Sequence, residues 1–241
     1  MEKNDRFIQV NGEILPYSVE RRRVRNPRLE FRAEGLVVVL PVGWGDETHL
    51  LKEKIGWISK KHAQIKAAFE RLDKRAAGGN AVPIFGELFE IRRGTSLLFD
   101  PARRIIELNP DDTNQKKRLA AMLKKMLAEE LHQAVTYYCQ RFGVNFKRIC
   151  IKRHRSKWGS CSFRGNLNFN LRLVHLPREL VWYLACHEVA HLRERGHGKR
   201  FWSLVGSEFN NYREIEKKLF EYWFLAQECL NSIFSSDWAN F

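Results

Sequence analysis

The sequence is poor in cysteine, and its five cysteines are scattered and form no C-x-x-C pair. An odd, scattered set of this kind predicts reduced thiols and argues against a disulfide framework. No apolar run approaches the length that a membrane-spanning helix requires, and the first ten residues lack the apolar core of a signal peptide. These absences predict a cytoplasmic protein with no membrane segment.

Acidic residues are scarce relative to basic ones, since 28 Asp and Glu stand against 42 Lys and Arg, for a net charge of +14. A strong basic excess favours anionic partners, so nucleic acid or a nucleotide is a candidate partner. The alternative is a basic surface that binds nothing specific. No zinc finger, RNP aromatic motif or basic zipper appears in the chain, so no known nucleic-acid module accompanies the charge.

The periodicity of apolar residues predicts an α+β fold with a β-rich N-terminal half. Residues 6–40 alternate like strands around a hairpin turn at Asn11-Gly12, and residues 46–76 carry apolar side chains at helical spacing. A second group of strands is expected between residues 82 and 108. No internal repeat is visible.

A Pro- and Asp-containing break follows residue 108 and gives the best internal boundary. We therefore expect a β-rich region with one long helix over residues 1–110 and a metal-binding catalytic region over residues 111–241. The second region opens with a long helix, capped by Thr113 and closed by Gly143. An alternating strand over residues 167–173 and a further helix follow.

The pentapeptide His187-Glu188-Val189-Ala190-His191 is a case of H-E-x-x-H. On a helix, its two histidines are four residues apart on one face and can hold a single metal ion. Glu188 lies beside the first ligand, where it can take a proton from a metal-bound water. The competing interpretation is a pair of packing histidines on an ordinary helix, but apolar residues on both sides favour a buried metal helix.

A third histidine, His197, follows Gly196 ten residues after His187. The run predicts that the helix ends near Arg195, with Gly196 as a left-handed stop that turns the chain back. Three protein ligands and one open position are typical of a catalytic zinc site. The pattern therefore predicts one Zn²⁺ per chain on His187, His191 and His197.

A basic loop precedes the metal helix and ends in a tight turn. Because it is dense in positive charge and carries a tryptophan, it is the candidate substrate-binding segment; an ordinary solvated hairpin is the alternative. Tyr212 is a candidate hydrogen-bond donor toward the site. The full set of candidate substrate-binding residues is Arg153, His154, Arg155, Lys157, Trp158 and Tyr212.

Four segments, KWGSC (157–161), NLNFNLRL (166–173), HEVAHL (187–192) and HGKRFW (197–202), resemble the YgjP-like metal-dependent hydrolases, which are related to SprT-like zinc peptidases. The resemblance implies a zincin-like α+β catalytic region with zinc on the three histidines and Glu188 as general base. The third histidine lies at the metzincin interval. However, Glu194 stands where metzincins carry glycine, and no methionine follows the motif, so the chain is not a metzincin.

The predicted reaction is zinc-assisted hydrolysis, with Glu188 as proton acceptor and then donor to the leaving group. With a peptide carbonyl as electrophile, the chain would be a metallopeptidase acting on a peptide or protein substrate. Two alternatives stay open. One is a phosphohydrolase acting on nucleotides, and the other is a nucleic-acid-binding protein whose zinc is structural.

Overall fold

The computed structural model describes residues 6–32, 35–75, 80–154 and 157–234. The chain forms two compact units, Met1–Arg71 and Leu72–Phe241. This division differs from the boundary between residues 110 and 111 that composition suggests. The reason is that the second group of strands shares one hydrophobic core with the helices that follow it.

The first unit contains a four-stranded sheet and helical segments. Its strands, in the order β1-β2-β4-β3, pair antiparallel, parallel and antiparallel. The helix expected over residues 46–76 is divided at Lys54 into two helices. The elements are β1 (Arg6–Val10), β2 (Glu13–Arg22), β3 (Arg28–Arg32), β4 (Gly35–Pro41), α1 (Thr48–Glu53) and α2 (Ile55–Arg75).

The second unit begins with a sheet of the same topology. Its strands lie in the order β5-β6-β8-β7 and again pair antiparallel, parallel and antiparallel. The chain therefore contains a structural repeat that the sequence pattern did not reveal. The strands are β5 (Ala81–Ile84), β6 (Glu87–Arg93), β7 (Leu98–Asp100) and β8 (Ile105–Leu108).

The first hairpin of each sheet turns through two residues with positive φ. Asn11 and Gly12 have φ of 52° and 81°, and Phe85 and Gly86 have φ of 50° and 85°. Asn-Gly is the usual sequence for such a turn, whereas a phenylalanine with positive φ is uncommon. Phe85 is buried, and its N–H donates to the carbonyl of Val174 at 2.8 Å, so tertiary packing holds the turn.

Helix α3 (Thr113–Phe142) crosses the second unit and buries one apolar stripe. Its N-cap is Asp112, whose carboxylate accepts the backbone N–H groups of Asn114 and Gln115, so the cap lies one residue before the expected Thr113. Gly143, with φ of 62°, closes the helix as predicted. The stripe includes Leu119, Leu123, Leu127, Leu131, Val135, Tyr138 and Phe142.

A three-stranded sheet follows, made of β9 (Arg148–Lys152), β10 (Gly159–Cys161) and β11 (Asn166–Asn170). Strand β11 is central, parallel to β9 and antiparallel to β10. The strand predicted to reach Leu173 ends earlier, because the Asn170 side chain accepts the Arg172 N–H and starts a 3₁₀ helix over Leu171–His175.

Three helices complete the unit: α4 (Arg178–Arg193), α5 (Lys199–Glu208) and α6 (Tyr212–Phe234). Helix α4 packs against α3, α5 and strand β10. Within the described ranges, no helix combines the length and the apolar character that crossing a membrane would need.

The buried His175 makes stability depend on pH. Its Nδ1 lies 2.8 Å from the Pro83 carbonyl, and burial lowers its pKa from 6.5 to about 4. Between these values the unfolded chain binds a proton that the folded chain does not, so the free energy of unfolding falls as pH falls. From pH 7.5 to pH 5 this group should remove about 2 kcal/mol.

We expect urea denaturation at pH 7.5 and pH 5 to show a smaller loss of stability in His175→Asn, whose amide can donate to Pro83 but does not titrate. Comparing the pH dependence within each protein separates the titration from any packing defect of the variant. Equal losses in both proteins would contradict a depressed pKa at His175.

Candidate metal centre

Helix α4 is buried around most of its circumference, which places its polar residues in an apolar setting. The side chains of Val181, Tyr183, Ala185, Val189 and Ala190 are fully buried. Alanine and leucine, which recur in α4, also have high helix propensity, so this segment is favoured both as a helix and as a buried element. Any polar group on α4 that faces the interior is consequently desolvated.

His187 and His191 lie one turn apart on α4, with ring centroids separated by 5.1 Å. Beyond the helix, the chain returns His197 to them, and the Nε2 atoms of His197 and His187 are 3.1 Å apart. One nitrogen from each of the three rings lies within 4.8 Å of the other two. The structure thus brings together the three histidines that the sequence selects.

The return of the chain does not use a glycine stop. Helix α4 ends at Arg193, and Glu194 is extended with φ of −125° and ψ of 107°. Gly196 has no positive φ, so the expected left-handed stop at this residue is wrong. The Glu194 carbonyl accepts a hydrogen bond from Nδ1 of His191 at 3.1 Å, which leaves Nε2 of that ring as the free ligand atom.

The histidine cluster fits a metal ion. Two imidazole nitrogens 3.1 Å apart need a proton or a cation between them, because their lone pairs otherwise repel. Burial, aided by the other two rings, lowers the pKa of His187 to about 3, so the ring is in the neutral form that binds metals. The ring of Phe201 stacks on His191 at 4.5 Å and fixes the apolar wall of the site.

Glu188 is 5% exposed, and its Oε2 atom has no hydrogen-bond partner among the described residues. Burial raises the pKa of this carboxyl to about 8, and the charge of Lys157 opposes the rise. A carboxyl with its pKa in this range can both accept and return protons, as an acid–base group requires.

Gly159, on strand β10, has no side chain and so leaves room for the carboxylate of Glu188. A Cβ atom built on Gly159 would lie 2.5 Å from Oε1 of Glu188, much closer than van der Waals contact allows. Glycine is thus the only residue that fits at this position without moving the carboxylate. The sequence marked Gly159 as part of a tight turn, but its contact with α4 joins residues far apart in the chain.

The outer edge of β10 presents backbone groups that the sheet leaves free. Trp158 and Ser162 bond across to β11 through their backbone, at 2.7 Å and 2.9 Å. In an antiparallel pair such bonds alternate along the strand, so the N–H and C=O groups of Gly159 and Cys161 point away from β11. No described strand pairs with that edge.

The candidate substrate-binding residues occupy different settings. Arg153 is exposed, and burial of part of its side chain lowers its pKa. His154 is partly buried, and burial together with Lys157 and Lys152 lowers its pKa. Lys157 is exposed and close enough to Glu188 to influence its pKa. Arg155 lies outside the described residues.

The two aromatic candidates pack against other rings. Trp158 meets Trp223 edge to face at 4.8 Å. Tyr212 stacks on Trp202 at 4.8 Å, and Trp202 in turn faces His197 at 5.8 Å. The ring of Trp202 therefore lies between Tyr212 and His197 in this series of ring contacts.

Three imidazoles that could hold a metal ion and one buried carboxylate thus lie on α4 and the segment that follows it. The family model of the YgjP-like metallopeptidase domain matches residues 25–222. The chain belongs to this family, and the resemblance found in the sequence is confirmed. No curated protein matches the chain.

The solved structures similar to the chain include two metallopeptidase zymogens. The metallopeptidase zymogen of Pyrococcus abyssi abylysin is 22% identical, with 37% of this chain and 90% of that chain covered and a TM-score of 0.35. The metallopeptidase zymogen of Methanocaldococcus jannaschii jannalysin is 28% identical, with 38% and 94% covered and a TM-score of 0.35.

The contact between Gly159 and Glu188 predicts a strong effect of one methyl group. In Gly159→Ala, the new Cβ would displace the carboxylate, and we expect the rate of peptide hydrolysis to fall by about 100-fold. Metal content should be unchanged, because the three histidines are not touched. Gly206→Ala is the matched control, since a Cβ there would meet nothing closer than 3.6 Å. Full activity of Gly159→Ala would contradict this position of Glu188.

Proposed function

We propose that the chain is a zinc-dependent metallopeptidase that hydrolyses extended segments of peptide or protein substrates. The observation that carries the proposal is the cluster of His187, His191 and His197 nitrogens beside α4, the helix that also holds the buried Glu188. A structural zinc site has no use for a proton acceptor beside its ligands, whereas a hydrolytic site needs one.

The proposed ligands are His187, His191 and His197, with one Zn²⁺ per chain. When bound, zinc would supply a Lewis acid that brings the pKa of a water molecule toward neutrality and polarises a carbonyl oxygen. A catalytic site also requires a fourth position for water or substrate, and the exposed His197 leaves the cluster accessible to solvent on its side. All proposed reacting groups lie within residues 111–241, a zincin-like catalytic region.

Glu188 would move the proton. Its carboxylate accepts a proton from the attacking water and then donates it to the departing amine nitrogen. Its pKa, raised to about 8 by burial, makes both transfers accessible near neutral pH. Gly159 keeps this carboxylate free of steric interference on the side of β10.

The free edge of β10 would hold the substrate. An extended peptide can bond to the outward N–H and C=O groups of Gly159 and Cys161 and so add a strand to the sheet. This placement carries the peptide past Glu188, because Gly159 contacts that side chain. The basic loop residues Arg153, His154, Arg155 and Lys157, with Trp158 and Tyr212, are proposed to bind substrate on either side.

The zinc site is tested by metal content. Wild type should purify with about one zinc per chain, and His187→Ala and His191→Ala should lose most of it because two imidazoles hold zinc much less tightly than three. His132→Ala, at an exposed histidine on α3, is the control. Plasma mass spectrometry of the purified proteins gives the stoichiometry. If the zinc content of the two α4 variants is unchanged, the proposed assignment of His187 and His191 as zinc ligands is contradicted.

The reaction is tested with an unfolded protein substrate, with and without DNA. Glu188→Gln should keep zinc and lose at least about 100-fold in turnover, because the amide cannot accept the proton. Glu179→Gln makes the same charge change on the exposed first turn of α4 and should retain full activity.

Each result points to one function. Cleavage by wild type and not by Glu188→Gln supports the peptidase. Faster cleavage in the presence of DNA would indicate that the net charge of +14 serves to bind nucleic acid. Zinc without cleavage in either protein would favour nucleotide phosphates, to be followed by phosphate release. DNA binding with steep salt dependence that Glu188→Gln leaves unchanged, again without cleavage, would indicate a structural zinc.

A further inference from the structure

The two ring nitrogens of His187 face different surroundings. Nε2 faces the other two histidines of the cluster and lies 3.1 Å from Nε2 of His197. Nδ1 is buried and has no hydrogen-bond partner within the described part of the chain. A buried ring nitrogen without a partner is costly, so a polar group close to it matters. Oε1 of Glu216, on helix α6, lies 3.8 Å from this nitrogen.

Glu216 is held in place from the opposite side by a tyrosine. The hydroxyl of Tyr183 donates to Oε1 of Glu216 at 2.6 Å, and Tyr183 is completely buried on α4. Burial, together with the carboxylate, raises the pKa of Tyr183, so the hydroxyl stays protonated and donates. The same carboxylate oxygen therefore lies between the tyrosine hydroxyl and the histidine Nδ1.

We propose that Glu216 is a positioning residue for the metal centre, which accepts the Nδ1–H of His187 while Tyr183 fixes the carboxylate. This inference rests on the proposed function, because it assigns His187 as a ligand through Nε2. The separation of 3.8 Å is about 1 Å longer than a hydrogen bond. The Glu216 side chain is 42% exposed, and a shift of about 1 Å toward His187 would bring the two atoms to hydrogen-bonding distance.

The arrangement has a clear chemical purpose. A proton held on Nδ1 fixes the tautomer that leaves the Nε2 lone pair free for the metal. The carboxylate also makes the imidazole more basic and orients its ring, and loss of such a partner typically weakens metal binding about 10- to 100-fold. Glu216 is not among the proposed ligands, so its effect on the metal would pass through His187.

The test measures zinc affinity by competition with a chromophoric chelator, in parallel with thermal unfolding. Glu216→Ala should raise the dissociation constant for zinc about 10-fold, and Glu216→Gln, which retains an acceptor oxygen, should recover part of the loss. Glu214→Ala removes the same charge two residues away on α6 and should leave the constant within about twofold of wild type.

Tyr183→Phe should weaken zinc binding less than Glu216→Ala does, and it should have no further effect when combined with that variant. Nitrogen-15 spectra of the zinc-loaded protein add a second readout, since the Nδ1–H signal of His187 should shift in Glu216→Ala but not in Glu214→Ala.

Two contrary outcomes are distinguishable. If wild type binds zinc tightly and Glu216→Ala binds it equally well, with only the melting temperature lowered, then Glu216 supports Tyr183 alone and the inference is overturned. If wild type does not bind zinc, the proposed function fails and this inference fails with it. If Glu214→Ala loses as much zinc affinity as Glu216→Ala, the loss comes from the change in net charge, and the positioning role of Glu216 is contradicted.

Discussion

Desolvation of α4, which is buried around most of its circumference, is the constraint on which the site depends. The helix is enclosed by α3, α5 and β10, so its central histidine and glutamate lie in a medium that disfavours charge. The same burial lowers the pKa of His187 and raises that of Glu188. One packing arrangement thus produces both the neutral imidazole and the carboxyl with a raised pKa that the proposed metallopeptidase needs.

The local parts of the site could be predicted from the sequence. His187, Glu188 and His191 are fixed by helical spacing, and His197 follows closely enough that a short connection must return it. These features need only the geometry of a helix and a nearby chain reversal. The manner of that reversal was not predictable: Glu194 becomes extended and bonds His191, so Gly196 is not needed as a left-handed stop.

The remaining parts depend on contacts between residues far apart in sequence. Nothing local to Gly159 shows that its missing side chain makes room for Glu188, and nothing local to Glu216 shows that α6 brings it beside His187. The repeated sheet topology could not be predicted from the sequence for a related reason. Asn11-Gly12 carries the usual signature of its turn, whereas Phe85-Gly86 makes the equivalent turn through tertiary contacts.

The order in which the site elements occur along the chain has a consequence for biosynthesis. Strand β10 and helix α4 precede α5 and α6, yet the wall formed by Phe201 and the contact from Glu216 come from those later helices. A ribosome-bound chain that has exposed only the H-E-x-x-H helix therefore lacks the surroundings that desolvate and orient its histidines. The histidine cluster and the contacts around it are complete only once these C-terminal helices have emerged.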